Sequence, residues 1–300
     1  MFIDVHQHLY AKPGVPLTEE QMEKYYYRYF PPEEVFQRYA SVGIDKAIIM
    51  PNIIPESTRF GTSISNEQVL ELHQMCPDKV IPYCNVDPRL YFNSPRAPLG
   101  KVLEFYKMRG CRGVGEVTAN LPFNSPLVQN LFAACQDLEM PLTFHISPTM
   151  SGAYGLYDDP GLPLLEETLR KFPRLTLFGH SQPFWAEIGP LETPASRNDY
   201  PKGPITQEGV LPKLMRRYPN LHGDLSAHSG ANAITRDREY GCRFLEEFQD
   251  RLLFGTDIYA INQPTSLMLF LQAERGKGIS EECFQKVAKL NALRIFALTD

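Results

Sequence analysis

Four histidines and one aspartate stand at the ends of predicted strands, where their side chains could bind a metal ion. His6 and His8 are two residues apart, and because side chains alternate along a strand, both imidazoles point to one side. His145, His180 and Asp257 each close another short apolar run. Imidazole nitrogens and a carboxylate oxygen that meet at one edge would suit divalent zinc, manganese or iron, with room left for water. For the His-x-His pair taken alone, a structural role stays open.

The elements that must position these residues follow a regular alternation. Short apolar or β-branched runs alternate with longer segments of helical period, which is the pattern of a parallel sheet crossed by helices. Proline or serine precedes several of the predicted helices, and proline follows others. We predict eight strands, at 2–8, 46–50, 80–86, 113–117, 142–146, 175–181, 221–226 and 252–259.

Eight strand–helix units in 300 residues predict an α/β protein with a (β/α)8 TIM-barrel fold, which typically needs about 250 residues. A doubly wound open sheet is the alternative. No linker divides the chain, so we expect a single domain over residues 1–300. Two long segments, 10–31 and 182–209, follow strand ends on the face where barrels build active sites. We interpret them as walls of a substrate site or as subunit contacts.

The composition argues against several classes of protein. The chain has 30 Lys and Arg against 35 Asp and Glu and no basic run, so it lacks the charge pattern that binds nucleic acid or an anionic membrane. Its apolar runs are far shorter than the roughly 18 residues that span a bilayer. The first residues do not read as a secretion signal, and the six cysteines form no Cys-x-x-Cys pair. We therefore expect a cytoplasmic protein without disulfides that acts on a small molecule.

With these residues at its strand ends, the sequence resembles the amidohydrolase superfamily. The resemblance is to the branch called amidohydrolase 2, which contains metal-dependent TIM-barrel hydrolases and decarboxylases. The resemblance spans nearly the whole chain and rests on residues 3–8, His145, Gly179-His180, Gly255-Thr256-Asp257 and 291–296. It is specific to the superfamily and unspecific about the substrate. It implies one or two divalent cations, with zinc first and manganese or iron as alternatives, and it is compatible with a homodimer.

The resemblance also implies roles for individual residues. It implies four metal ligands, which are His6, His8, His145 and Asp257. His180 would be a further ligand or a base that polarises the substrate, and Glu116 lies where related hydrolases place a carboxylate that bridges two metals. The alternative for Glu116 is to bind substrate or to pair with a neighbouring arginine such as Arg112.

Such a site predicts hydrolysis as the reaction. A divalent cation brings the pKa of water near 7 and polarises a carbonyl oxygen. Asp257 would move the proton and His180 would steady the developing oxyanion, so the expected substrate is an amide, ester or lactone of a small molecule. The alternative reactions are decarboxylation of a small carboxylated aromatic or enol compound and hydration of a carbon–carbon double bond. A further alternative is a barrel without catalytic activity in which the metal only stabilises the structure.

Four further residues are candidates for substrate binding. Trp185 follows His180 in the long segment 182–209, where it would stack on a planar substrate or pack against the barrel rim. His228 lies just beyond a predicted strand end and would contact substrate or face solvent. Arg59 and Arg89 follow the second and third strands, where a guanidinium could bind a substrate carboxylate through two hydrogen bonds.

Three more polar residues are predicted to support the site rather than to form it. Asp224 and Ser226 share one face of the seventh strand and would orient substrate or water, or serve a structural role. Asp4 shares a face with His6 and would support the histidines through hydrogen bonds.

Overall fold

The strands of this protein all pair in parallel. The computed structural model describes residues 1–9, 18–20, 31–53, 64–258 and 263–299. Within them the strands are β1 Phe2–Gln7, β2 Ile44–Ile49, β3 Val80–Pro82, β4 Val114–Val117, β5 Leu142–Ser147, β6 Leu156–Tyr157, β7 Leu177–His180, β8 Leu221–Asp224 and β9 Leu252–Leu253. The ladders follow the orders β1-β2-β3 and β4-β5-β7-β8-β9, and the short β6 adds to the end of β5.

Two seams join these ladders into a closed barrel. At one seam Cys84, just after β3, forms a parallel bridge with Val114 at the start of β4. At the other seam the Val5 amide donates to the Phe254 carbonyl at 3.0 Å, and the Asp257 amide donates to the His6 carbonyl at 2.9 Å. All eight predicted strands are therefore present in one ring. The TIM barrel is confirmed and the open sheet is excluded.

Helices follow the strands and cover the barrel. In chain order they are α1 Pro32–Val42, α2 Asn66–Met75, α3 Leu99–Lys107, α4 Pro126–Asp137, α5 Pro163–Lys171, α6 Gln182–Ala186, α7 Val210–Arg217, α8 Ala227–Thr235, α9 Arg238–Glu247, α10 Ser266–Glu274, α11 Glu281–Gln285 and α12 Asn291–Ile295. Leu90–Asn93 is a four-residue helical turn, Pro194–Asn198 is a 3-10 helix and Lys286–Leu290 is a π-helical turn. No helix in the described ranges has both the length and the apolar character to cross a membrane.

Local sequence explains several helix boundaries. Proline stands in the first turn of α1, α4 and α5, where a missing backbone N–H costs nothing. Ser65 caps α2 through a reciprocal pair of hydrogen bonds with Gln68. Gly43 ends α1 with a φ of 85°, a left-handed conformation that glycine adopts without steric cost. The helices thus begin at the prolines and serines from which their starts are predicted.

The apolar core has two parts. The larger one fills the space between strands and helices. The smaller one lies inside the barrel and includes Val5 of β1, Tyr83 just after β3, Phe178 of β7 and Phe296, which follows the last helix. Phe296 lies near Cys111 and Pro141, which precede β4 and β5, and thus at the end of the barrel opposite the carboxyl ends of the strands.

Two differences from the sequence prediction concern the strand ends and the long segments. The last strand is limited to Leu252–Leu253, because the backbone beyond it bonds to β1 at the barrel seam instead of extending a regular ladder. The segment 182–209 contains α6 and the 3-10 helix. Of the segment 10–31, residues 10–17 and 21–30 lie outside the described ranges.

The side chain of His222 is buried inside the barrel without a full set of hydrogen bonds. The ring of His222 lies 5.3 Å from that of Phe178, and its Nδ1 has no hydrogen-bond partner among the described residues. Burial lowers the pKa of His222 to about 3, because an imidazolium ion would lose its hydration there.

Acid should therefore destabilise the fold through His222. Below its ordinary pKa of 6.5, the unfolded chain takes up a proton that the folded chain refuses, so the free energy of unfolding falls as the pH drops. Between pH 7.5 and 5 this loss should be about 2 kcal/mol, and His222→Gln should remove it. Urea unfolding at both pH values measures the difference, with the exposed His228→Gln as control. Equal acid sensitivity of wild type and His222→Gln would contradict the assignment.

Candidate functional site

Six side chains predicted as ligands converge at the carboxyl ends of the strands. They come from the end of β1, from β4, β5 and β7, and from the segment after β9, and they are His6, His8, Glu116, His145, His180 and Asp257. Their ligand atoms form three overlapping groups, in each of which all atoms lie within 4.8 Å of one another. The barrel thus gathers residues from both ends of the sequence into one cluster.

Glu116 lies at the centre of this cluster. Its Oε1 is 2.7 Å from His145 Nδ1 and 3.7 Å from His180 Nε2. Its Oε2 is 3.5 Å from His8 Nε2 and 3.9 Å from His6 Nε2. One carboxylate oxygen therefore faces each pair of histidines.

The orientation of His6 and His8 is set by acceptors behind them. His6 Nδ1 lies 2.6 Å from the carboxylate of Asp224, and His8 Nδ1 lies 3.1 Å from the carbonyl of Met50. Because a carbonyl or an ionised carboxylate can only accept, both Nδ1 atoms carry protons. In the neutral rings the lone pairs are then on the Nε2 atoms, which lie only 3.2 Å apart.

This spacing fits a metal ion. Two imidazole ligands of a tetrahedral zinc ion, with Zn–N near 2.05 Å, have their nitrogens about 3.3 Å apart. Two facing lone pairs at such a distance repel each other unless a proton or a cation lies between them. The nitrogen and carboxylate donors of the cluster, together with Asp224 behind His6, therefore form a set of the kind that holds a divalent cation.

The charges of the cluster are strongly coupled. Burial by itself would lower the pKa of His6, but the carboxylates of Asp224, Asp257 and Glu116 outweigh burial and raise this pKa to about 10. Burial and the charge of His6 lower the pKa of His180 to about 4. Burial opposes ionisation of Glu116, yet the neighbouring histidines hold its pKa well below the usual range. A cation that binds His6 must displace a proton, so metal binding will depend on pH.

Asp4 fixes the backbone on which these ligands stand. Its Oδ1 accepts from the His6 amide at 3.0 Å and from the Thr256 amide at 2.9 Å, while Oδ2 accepts from the hydroxyls of Tyr39 and Thr256. The support expected from Asp4 thus reaches His6 through the backbone instead of the imidazole. The same carboxylate also holds the residue before Asp257.

Above the cluster opens a cavity of about 440 Å³. His145, His180 and Asp257 line its base, and Tyr200 and His228 line one wall. The long segment 182–209 contributes Gln182 and Tyr200 to the lining of this cavity, which agrees with its interpretation as a wall of a substrate site. Tyr200 itself had no distinguishing signal in the sequence beyond its place in that segment.

The structure places the other candidates differently. Trp185 is 1% exposed, does not line the cavity, and donates through Nε1 to the Asp224 carbonyl at 2.9 Å. Gly223 leaves room for its ring, since a Cβ there would lie 2.8 Å from it. The prediction that Trp185 stacks on a substrate is therefore wrong. Its ring packs in the core and supports the strand that carries Asp224.

Of the two arginine candidates, only Arg89 lies within the described residues. Arg89 binds Asp87, with Nε 2.7 Å from Oδ1, and does not line the cavity. Arg59 lies outside the described residues. Arg112 is exposed, whereas Glu116 is buried among the histidines. His228 does line the cavity, and its contact with substrate stays a prediction.

Asp224 and Ser226 both face the cluster. Asp224 binds His6, and the Ser226 hydroxyl is 3.0 Å from His180 Nδ1. Strand alternation predicts their common face, but the partners of each become visible only in the structure. These two residues orient imidazoles of the cluster.

Solved structures share this architecture at low sequence identity. A probable 2-pyrone-4,6-dicarboxylic acid hydrolase from Acinetobacter baumannii, with citric acid bound, is 13% identical with a TM-score of 0.57, covering 99% of each chain. The 5-carboxyvanillate decarboxylase LigW from Sphingomonas paucimobilis is 15% identical with a TM-score of 0.61, also covering 99% of each chain. An amidohydrolase from Burkholderia multivorans, with bound zinc, is 13% identical with a TM-score of 0.63, covering 100% of both. These likenesses show the fold.

The sequence comparison identifies the family, which the structural likenesses alone do not. No curated protein matches this chain. The amidohydrolase family pattern, in contrast, matches residues 3–298, which is nearly the whole length. With its closed parallel barrel and its buried cluster of histidines and carboxylates, the chain belongs to the amidohydrolase family.

Proposed function

We propose that this protein is a hydrolase that uses divalent metal, with zinc as the first choice, to cleave an amide, ester or lactone of a small molecule. The observation that carries the proposal is the position of Glu116, whose two carboxylate oxygens each face a different pair of histidines. A carboxylate placed in this way suits the bridge between two cations. His6 and His8 would hold one cation and His145 and His180 the other, with Asp257 beside His6 and His180.

Bound divalent cations supply Lewis acidity, which polarises a carbonyl group and acidifies water. The chain's own contribution to proton transfer is Asp257. Its carboxylate is 27% exposed at the base of the cavity and lies 3.8 Å from His180 Nε2 and 4.0 Å from His6 Nε2. It is thus accessible to a water molecule and held near the cluster. Asp257 accepts the proton of the attacking water and delivers it to the leaving atom.

His180 supports the reaction as a neutral imidazole. Burial and the charge of His6 lower the pKa of His180 to about 4, so its imidazole is uncharged at neutral pH. Its Nδ1 contacts the Ser226 hydroxyl, which can donate or accept a hydrogen bond. His180 can therefore present Nε2 either as a lone pair for a cation or as an N–H for a developing oxyanion.

Decarboxylation is the second candidate, because the chain shares its fold with a 5-carboxyvanillate decarboxylase. The acid group of a carboxylated aromatic substrate could be bound by a positive side chain or by the divalent cations themselves. The described residues that line the cavity include neither lysine nor arginine. An assay for CO2 release separates the two reactions.

Metal content tests the bridging role of Glu116. Wild type purified without chelator and then loaded with zinc should hold about two equivalents per chain, as in two-metal hydrolytic sites. Glu116→Gln should hold about one, because an amide cannot supply two anionic oxygens. Elemental analysis measures both. Glu187→Gln is the matched control, since Glu187 is also a buried glutamate but binds the Gly161 amide away from the cluster. Unchanged stoichiometry in Glu116→Gln removes Glu116 from the ligand set.

Proton transfer by Asp257 is tested with a panel of small esters, lactones and amides. Asp257→Asn should lower kcat/KM on any turned-over compound by about 100-fold or more, since loss of a general base typically has that effect. Asp158→Asn, which changes a buried aspartate bound to the Leu164 and Leu165 amides, should keep wild-type activity. Proton release measures hydrolysis of the esters and lactones, detection of the released amine measures hydrolysis of the amides, and a CO2 assay measures decarboxylation. Turnover with CO2 release would replace the hydrolase proposal by the lyase alternative.

A further inference from the structure

One wall of the cavity carries three polar side chains that the chemistry at its base does not use. They are Gln182 at the start of α6, Tyr200 in the segment after the 3-10 helix, and His228 in the first turn of α8. Gln182 Nε2 donates to Tyr200 Oη at 3.0 Å. The rings of Tyr200 and His228 meet edge to face, with centroids 4.4 Å apart. These three residues form a continuous polar wall.

The hydrogen bonds of this wall leave groups available to a ligand. Because Tyr200 Oη accepts from Gln182, its own hydroxyl proton points elsewhere. Within the described ranges no acceptor takes that proton, and neither Gln182 Oε1 nor the ring nitrogens of His228 have a hydrogen-bond partner. The wall therefore offers both donors and acceptors to the cavity. A hydroxyl group, which donates and accepts at once, matches such a set.

The backbone that carries Tyr200 is anchored on both sides. Three residues before it, the guanidinium of Arg197 is buried, with Nη1 2.7 Å from the Asp158 carbonyl and Nε 3.9 Å from Glu187 Oε1. Beyond it, the Ile205 amide donates to Asp237 Oδ2 at 2.8 Å. A segment held in this way keeps Tyr200 over His228 before any ligand arrives, which lowers the entropic cost of binding.

The rest of the described lining includes apolar side chains. Ala231, Leu267 and Met268 form an apolar side of the cavity, and the described lining contains no lysine or arginine. We propose that Gln182, Tyr200 and His228 form a subsite for hydroxyl groups, so that the substrate is a hydroxylated ester, lactone or amide. This proposal depends on the proposed function only for the type of bond that is cleaved. Tyr200 determines specificity by donating its hydroxyl proton to a substrate oxygen.

Three hydroxamic acids of equal chain length test this subsite by binding, without turnover. All share the group that chelates metal, while the rest of the chain is alkyl in hexanohydroxamic acid, hydroxylated in gluconohydroxamic acid and ends in a carboxylate in adipic monohydroxamic acid. Calorimetry on the zinc-loaded protein gives their Kd values. Gluconohydroxamic acid should bind tightest. Tyr200→Phe should weaken it by about three- to tenfold, the range for one lost neutral hydrogen bond, and leave hexanohydroxamic acid unchanged.

The control variant is Tyr106→Phe, which removes a tyrosine hydroxyl that binds Glu67 on the surface. It should keep the affinities of wild type. Equal Kd values for the hydroxylated and alkyl probes, tightest binding of the carboxylate probe, or a preference for hydroxyls that survives in Tyr200→Phe would each overturn the subsite. Binding of hexanohydroxamic acid reports on the metal centre independently. A hydroxyl preference that depends on Tyr200, in a protein that cleaves no ester, lactone or amide, would overturn the hydrolase proposal and support the subsite.

Discussion

Closure of the barrel between its first and last strands is the constraint on which the site depends. The backbone bonds from Val5 to Phe254 and from Asp257 to His6 make β1 and β9 neighbours. In an open sheet of eight strands, these two would lie about 34 Å apart. No metal could then contact His6 and Asp257 together. The carboxylate of Asp4 reinforces this seam, since it binds the backbone amides of both His6 and Thr256.

The seam also creates an electrostatic problem that the cluster resolves. Asp224, Glu116 and Asp257 bring negative charge to a mostly buried region, where an uncompensated ion costs several kcal/mol. The raised pKa of His6 shows one form of compensation, because a proton held there neutralises part of that charge. A divalent cation supplies more positive charge to the same oxygens. The interactions that raise the pKa of His6 thus also favour a metal in its place.

Much of this arrangement could be predicted from the sequence. Alternation along β1 placed His6 and His8 on one side, and short apolar runs located the strands that carry His145 and His180. Residues that depend on loop conformation could not be predicted in the same way. Trp185 lies in a segment predicted to form a wall, but its ring fills the space that Gly223 leaves in the core. Tyr200 enters the cavity because Arg197 and Asp237 anchor its segment, and both are long-range contacts with no local signature.

Barrel closure has a consequence for synthesis of the protein on the ribosome. Asp4 and its partner Thr256 are 252 positions apart in the chain. At common rates of elongation, β1 therefore emerges about 10 to 50 seconds before the strand that completes its pairing. During this interval its apolar residues and its two histidines lack their final neighbours. The nascent chain is expected to need protection from aggregation, and the complete cluster can form only after Asp257 has left the ribosome.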